Sequence, residues 1–255
     1  MKTKESNYKK LSQRDNKSKK TFRGAALLKA TTLLALFIFI SNSAYSQTPD
    51  PNDWPNLKRY AEENKAYLES KPGKKRVVFI GDSMTEQWII KDPSFFSKNK
   101  YLCRGFSGQA SSQILLRFKQ DVVNIGATKV VILAGTNDIA GNRGPSTLGM
   151  IMDNISSMCE IAKAHNIEVI LCSITPVKKY SWAPNITPDK IVPEFNKMLK
   201  EYAKDNDITY VDYFKKLVDK TPDNENGMIP EYTIDGVHCN KAGYAVMEKA
   251  IKKHL

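Results

Sequence analysis

The sequence predicts a three-layer α/β/α sandwich around a parallel, flavodoxin-like five-stranded sheet, and two observations predict it. Five short runs are apolar over most of their length: Arg76–Ile80 (RVVFI), Lys100–Cys103, Lys129–Leu133 (KVVIL), Glu168–Ile174 (EVILCSI) and Ile208–Phe214 (ITYVDYF). Helical stretches lie between and after them, at Ser111–Ile125, Thr147–Ala164, Asp189–Asp205 and Lys241–His254. Strands that lack polar alternation need cover on both faces, and a helix returning the chain makes the next strand parallel. In Ser111–Ile125 the apolar residues Ile114, Leu115, Phe118 and Val122 recur at three and four, which leaves Arg117, Lys119 and Asp121 facing water. Open parallel sheets hold their chemistry beyond the carboxyl ends of the strands. Reacting side chains are therefore expected in the turns that follow the strands.

The 255 residues, 41% of them apolar, suffice for one domain with an extension, and no internal repeat is present. The net charge of +12 is uneven. Residues 1–46 hold ten Lys or Arg against Glu5 and Asp15, which is +8, while the rest holds 29 basic and 25 acidic residues, only +4. A near-balanced domain without a basic stripe does not favour a nucleic-acid partner. The basic leader runs into Ala30–Ile40 (ATTLLALFIFI) and then Ser41–Ser46, the order of a secretory signal peptide, with Ala44 and Ser46 at −3 and −1 of a cut before Gln47. As a helix those eleven residues reach about 17 Å against a bilayer core of about 30 Å, so a permanent span is disfavoured. Segment 1–46 therefore reads as a signal peptide, 47–72 as a linker (QTPDPNDWPN) and a helix over Asn56–Ser70, and 73–255 as the α/β domain. Localisation follows as periplasmic or secreted, with membrane contact only through the uncleaved signal.

Cys159 and Cys172 lie in apolar helix-like and strand-like runs and read as small buried side chains. Whether Cys103 and Cys239 pair is open, and no C-x-x-C or His/Cys cluster suggests a metal.

Gly81-Asp82-Ser83-Met84-Thr85 ends the first strand, so Ser83 stands at a strand end where a helix starts; alone it reads equally well as a helix cap. Of three histidines, His165 closes a helix at the far end of the sheet and His254 is next to the chain end. His238, in Asp235-Gly236-Val237-His238, follows the last strand. That spacing lets Asp235 accept the imidazole Nδ1–H and leave Nε2 as a base, although an Asx turn uses the same residues. Gly108 after the second strand and Asn137 after the third offer a backbone N–H and a side-chain amide to an oxyanion; each is also an ordinary turn residue.

Together G-D-S at 81–83, the glycine of S-G-Q at 107–109, G-T-N-D at 135–138 and D-G-V-H at 235–238 resemble the SGNH/GDSL hydrolase family, over roughly residues 75–255. The resemblance implies Ser83 as nucleophile, Ser83, Gly108 and Asn137 as the oxyanion hole, and Asp235 with His238 completing a triad. The stretch from Ser173-Ile174-Thr175-Pro176 onward is similar to the branch of platelet-activating-factor acetylhydrolase-like and carbohydrate esterases. Met84 stands where the family usually has leucine, and Cys239 where a proline often follows the histidine.

The expected function is hydrolysis of small acyl esters, O-acetyl on carbohydrates first, by an acyl-enzyme route without metal or organic cofactor. Lipid-ester hydrolysis and a silent carbohydrate-binding domain of the same fold are the alternatives. A phosphate binder would require a glycine-rich loop of a kind that is absent from the sequence. Tyr180 and Trp182, in the proline-rich loop Pro176–Pro188, are the expected substrate contacts, with Trp182 either a sugar platform or an anchor packed on apolar surface.

Overall fold

The computed structural model describes residues 52–255 apart from Pro72 and Lys74; the expected signal segment and its cleavage site lie outside the described residues. A 3-10 turn at Leu57–Tyr60 leads into α1 (Ala61–Glu69). There follow β1 (Val77–Gly81), α2 (Ser83–Lys91), α3 (Pro93–Asn99), β2 (Leu102–Gly105), α4 (Ser111–Phe118), β3 (Lys129–Leu133) and α5 (Thr136–Ile139). The chain continues through α6 (Leu148–Ala164), β4 (Glu168–Cys172), α7 (Pro188–Asp205), β5 (Thr209–Val211), α8 (Phe214–Leu217) and α9 (Lys241–Ile251). The strand order is β2-β1-β3-β4-β5, and every pair is parallel.

Because successive side chains of a strand point to opposite faces, the sheet divides its core into two layers. Val78, Ile80, Val130, Ile132 and Leu171 pack with Ile114, Phe118, Ile151, Ile155, Phe195 and Leu199 of α4, α6 and α7. Val77, Phe79, Val131, Leu133 and Ile170 pack on the other face with α2, α3 and α9. There Trp88 stacks on Phe95 at 4.9 Å between ring centroids and on Tyr244 at 5.5 Å, and the Tyr244 hydroxyl donates to the Met84 carbonyl at 2.9 Å. The helix that opens at Ser83 is thereby clamped to α9.

Two expected strands are shorter than their apolar runs. β4 stops at Cys172 because the Asn196 side chain of α7 takes both backbone groups of Ile174, accepting from its N–H (2.8 Å) and donating to its carbonyl (2.9 Å). β5 stops at Val211 because the chain turns into α8, whose Phe214 N–H donates to Ser173 Oγ at 2.8 Å.

Arg117 and Asp121 do not face solvent, contrary to the helical periodicity: both are 1% exposed. α4 continues as a π-helical turn over Lys119–Val123, and Arg117 Nη1 pairs with Asp121 Oδ2 at 2.9 Å. Arg117 Nε donates to Gln109 Oε1 (2.6 Å) and Nη2 to the Gly81 carbonyl (2.9 Å). The N-terminal segment covers this face, since Asn64 donates to Asp121 Oδ1 (2.8 Å) while Gln109 and Gln113 donate to the carbonyls of Pro55 (2.8 Å) and Trp54 (2.6 Å). Helical periodicity counts only turns of one helix and carries no information on a cover supplied from elsewhere.

Removing one partner of a buried ion pair leaves the other charged and unpaired. Arg117→Ala should therefore lower unfolding stability by about 3–5 kcal/mol in denaturant titration, with the serine end of β1 loosened as well.

Candidate active site

The strand order reverses direction around β1, with β2 on one side and β3 on the other. A crevice opens at such a switch point, beyond the strand ends. Gly81 lies level with Gly105 and Leu133 in the ladder, so the turns after β1, β2 and β3 leave the sheet side by side. Those three turns carry Ser83, Gly108 and Asn137.

Asp82 caps α2 by accepting the Met84 N–H at 2.9 Å, and Ser83 is the first residue of the helix. Close passage of α2 over β2 requires glycine at 105, where a Cβ would stand 2.2 Å from the Glu86 nitrogen. Ser83 is 7% exposed, and its Oγ lies 2.9 Å from His238 Nε2. On the other side of the ring, His238 Nδ1 lies 2.7 Å from Asp235 Oδ2. A carboxylate only accepts, so Nδ1 carries the proton and Nε2 faces Ser83 with its lone pair.

The turn holding this histidine is tied internally. Asp235 Oδ1 accepts the N–H groups of Val237 (2.9 Å) and His238 (2.7 Å). Thr233 Oγ1 accepts from Gly236 N–H and donates to the His238 carbonyl, both at 2.8 Å. Burial works against the Asp235 charge, but the hydrogen bonds from the His238 backbone, its imidazole and the Val237 N–H outweigh it and hold the carboxyl below the usual carboxylate range. Thr233 has no sequence motif to announce it. Cys239, in place of the proline often found there, is fully buried with its sulfur 3.7 Å from those of Met228 and Met247. It does not pair with Cys103, and all four thiols are free and buried.

Gly108 adopts φ +76°, a conformation glycine takes without strain. Ser107 fastens that loop to α2 by donating its N–H (3.0 Å) and its hydroxyl to Glu86 Oε2. Among the described residues, neither the Ser83 nor the Gly108 N–H has a protein acceptor. Asn137 Nδ2 donates one hydrogen to the Gln109 carbonyl at 3.0 Å and keeps a second. Its Oδ1 accepts from Asn142 Nδ2 at 2.6 Å. Asp138, the next residue, binds the N–H (2.8 Å) and hydroxyl (2.6 Å) of Ser111 at the start of α4. The structure thus joins Ser83, His238 and Asp235 in one hydrogen-bonded line at the end of β1 and places Gly108 and Asn137 on the turns after the two neighbouring strands. Such a set is suited to attack on a carbonyl carbon.

Tyr180 is not available to a substrate, contrary to the expectation. It is 1% exposed, and its hydroxyl is spent on Thr136 Oγ1 at 2.8 Å, because the loop after β4 folds back over α5. Trp182 is 48% exposed, tilted against Tyr180 at 5.2 Å between centroids, and donates Nε1 to Asn142 Oδ1 at 2.9 Å. His165 is an exposed helix C-cap; the carbonyl of His254 binds Lys129 Nζ (2.6 Å) at the opening of β3, the end of the strand remote from the crevice. Asn142 escaped the sequence reading, since an asparagine in a Gly-Asn-Arg-Gly turn has an ordinary turn explanation.

The model of the GDSL-like lipase/acylhydrolase family matches residues 79–246. Among solved structures the chain is similar to a candidate acylhydrolase of Bacteroides fragilis NCTC 9343, with 43% identity and TM-score 0.75 over 79% of this chain and 96% of that one. It is similar to a GDSL-like lipase of Bacteroides thetaiotaomicron VPI-5482, with 43% identity and TM-score 0.74 over 78% and 97%. An acetylxylan esterase of Geobacillus stearothermophilus shares the fold, at 16% identity and TM-score 0.55 over 70% and 93%. Among curated proteins the chain is similar to N-acylneuraminate cytidylyltransferase of Escherichia coli O18:K1:H7 (strain RS218 / NMEC), with 25% identity over 179 residues. It spans 39% of that protein's length, and the match takes in 69% of this chain.

Burial raises the Asp82 carboxyl to about 7, with Met84 N–H and His238 opposing the shift and Asp138 adding to it. A carboxyl whose folded value exceeds its unfolded value of about 3.9 favours folding below that pH and loses the contribution as pH rises through the folded value. Asp82→Asn keeps an oxygen for the Met84 N–H and removes the titration. The variant should gain melting temperature relative to the parent between pH 5 and pH 8, by differential scanning calorimetry.

Proposed function

The chain belongs to the GDSL-like lipase/acylhydrolase family, whose reaction is hydrolysis of carboxylic esters, and we propose that its own reaction is removal of small acyl groups, acetyl first, from carbohydrates after export. The observation that carries the mechanism is the hydrogen-bonded line Asp235–His238–Ser83, with links of 2.7 and 2.9 Å. Ser83 Oγ attacks the ester carbonyl carbon as its proton passes to His238 Nε2. The carbonyl oxygen, now an anion, is held by the N–H groups of Ser83 and Gly108 and the second Nδ2 hydrogen of Asn137. Collapse expels the alcohol, which takes the proton back from His238, and leaves an acyl-enzyme on Ser83. Water then attacks with His238 as base, releasing the acid and restoring the serine. Asp235, kept ionised by its three donors, orients the ring and stabilises the imidazolium while it exists.

The carbohydrate half of the reading is supported by the exposed Trp182 ring beside the crevice and by the shared fold of the acetylxylan esterase. Export is supported by the basic leader, the short apolar run and the small residues Ala44 and Ser46. N-terminal sequencing of the chain recovered from a bacterial envelope or medium should begin at Gln47.

Ser83→Ala should abolish ester hydrolysis with the melting temperature retained, and a fluorophosphonate should label the parent at Ser83 and leave the variant unlabelled. Near-normal turnover in the variant would remove Ser83 as nucleophile. In a series of p-nitrophenyl esters from acetyl to dodecanoyl, beside acetylated xylo-oligosaccharides, the acetyl substrates should be fastest. A maximum at the long chains would assign lipid esters instead.

A further inference from the structure

Trp182, Asn142, Asn137 and Gln109 form one continuous line of hydrogen bonds. Trp182 Nε1 donates to Asn142 Oδ1 (2.9 Å), Asn142 Nδ2 donates to Asn137 Oδ1 (2.6 Å), and Asn137 Nδ2 donates to the Gln109 carbonyl (3.0 Å). The line has a direction. An indole N–H can only donate and a backbone carbonyl can only accept, whereas a carboxamide works either way round depending on its flip. With a donor fixed at one end and an acceptor at the other, both carboxamides between them have a single consistent orientation. In that orientation the nitrogen of Asn137 faces Gln109 in the loop after β2, and its oxygen faces Asn142.

We propose that Asn142 is the positioning residue that sets the flip of the Asn137 carboxamide, with the Trp182 indole N–H setting Asn142 in turn. The inference rests on the reading of Asn137 as an oxyanion donor. Flipped, Asn137 would present a lone pair to the developing negative charge, so the correct flip has to be enforced before the substrate arrives. Gln109 alone enforces it weakly, since its carbonyl is one acceptor on a neighbouring loop. Asn142 adds the second contact at the opposite end of the same amide and sits in a turn whose backbone is itself bonded, Asn142 N–H to the Asn137 carbonyl at 2.9 Å and Gly144 N–H to the Gly141 carbonyl at 3.2 Å. Trp182 is half exposed at the end of this line. Its N–H is therefore committed to the oxyanion machinery, and only its ring face remains for a substrate.

The polarity of the line gives a test that a merely structural role would fail. Asn142→Asp is the closest in shape but offers oxygen alone; it repels Asn137 Oδ1 and pulls Asn137 Nδ2 out of the crevice. Asn142→Ala removes the contact and leaves Gln109 to hold Asn137. On p-nitrophenyl acetate, kcat should fall more in Asn142→Asp, by roughly 10²–10³ as for loss of an oxyanion donor, than in Asn142→Ala, by about tenfold, with KM little changed in both. Trp182→Phe, which keeps an aromatic face but loses the N–H together with the five-membered part of the indole, should lower kcat several-fold with KM for p-nitrophenyl acetate retained; it covers the case in which an Asn142 variant does not fold. Equal or greater loss in Asn142→Ala, Asn142→Asp with kcat within threefold of the parent, or full kcat in Trp182→Phe would overturn the proposal. If the parent itself hydrolyses no ester, the functional reading fails instead, and the two failures are distinct.

Discussion

A buried guanidinium sets the spacing of this crevice. Arg117 reaches from α4 to the Gly81 carbonyl, the last of β1, and to Gln109 in the loop after β2, while Asp121 neutralises it from the π-helical turn. A charge removed from water is tolerable only when it is paired and its N–H groups are satisfied, so these partners are obligatory and their positions are coupled. Gly81 O also accepts the Phe106 N–H at 3.0 Å. The strand that delivers Ser83 and the loop that delivers Gly108 therefore cannot drift apart without stranding the charge.

The rest of the crevice follows from that frame. Ser83 opens α2, where first-turn N–H groups have no intrahelical acceptor, so the proposed nucleophile brings an oxyanion donor with it. α2 in turn is held by the Trp88 stacking with Phe95 and Tyr244 and by Glu86 binding Ser107. His238 arrives from the far end of the chain on a turn that shares no strand with the sheet, which is why Asp235 and Thr233 bind it so heavily. The Asp235–His238–Ser83 line thus combines the end of an interior strand with a turn made rigid by its own polar side chains.

Polarity and position are different demands, and separate groups meet them. Position comes from buried packing and from Arg117. Polarity, the choice of which atom of an amide faces the crevice, comes from groups that can only donate or only accept: the Trp182 indole, the Gln109 carbonyl and the Asp235 carboxylate. An aromatic on the exposed loop after β4 thereby has a role at the reacting atoms without touching them.

Much of this was legible in the residues in order. Apolar runs at 76–80 and 129–133 with helical stretches between them are sufficient for a doubly covered parallel sheet, because burial on both faces leaves no alternation. The four motifs could be placed because strand ends are where an open sheet keeps its reacting groups. Helical periodicity puts Arg117 and Asp121 in solvent, whereas the cover over them is made by residues 54–64 of another segment. The burial of Tyr180 leaves no mark in the sequence because the path of a loop is not periodic. Asn142 was invisible because turn asparagines are common, and only the approach of Trp182 on one side and Asn137 on the other gives it a task. Residue type and local spacing determined which chemistry this chain carries; tertiary structure alone decided burial, amide orientation and the covering of a charged helix face, because each depends on groups remote in sequence.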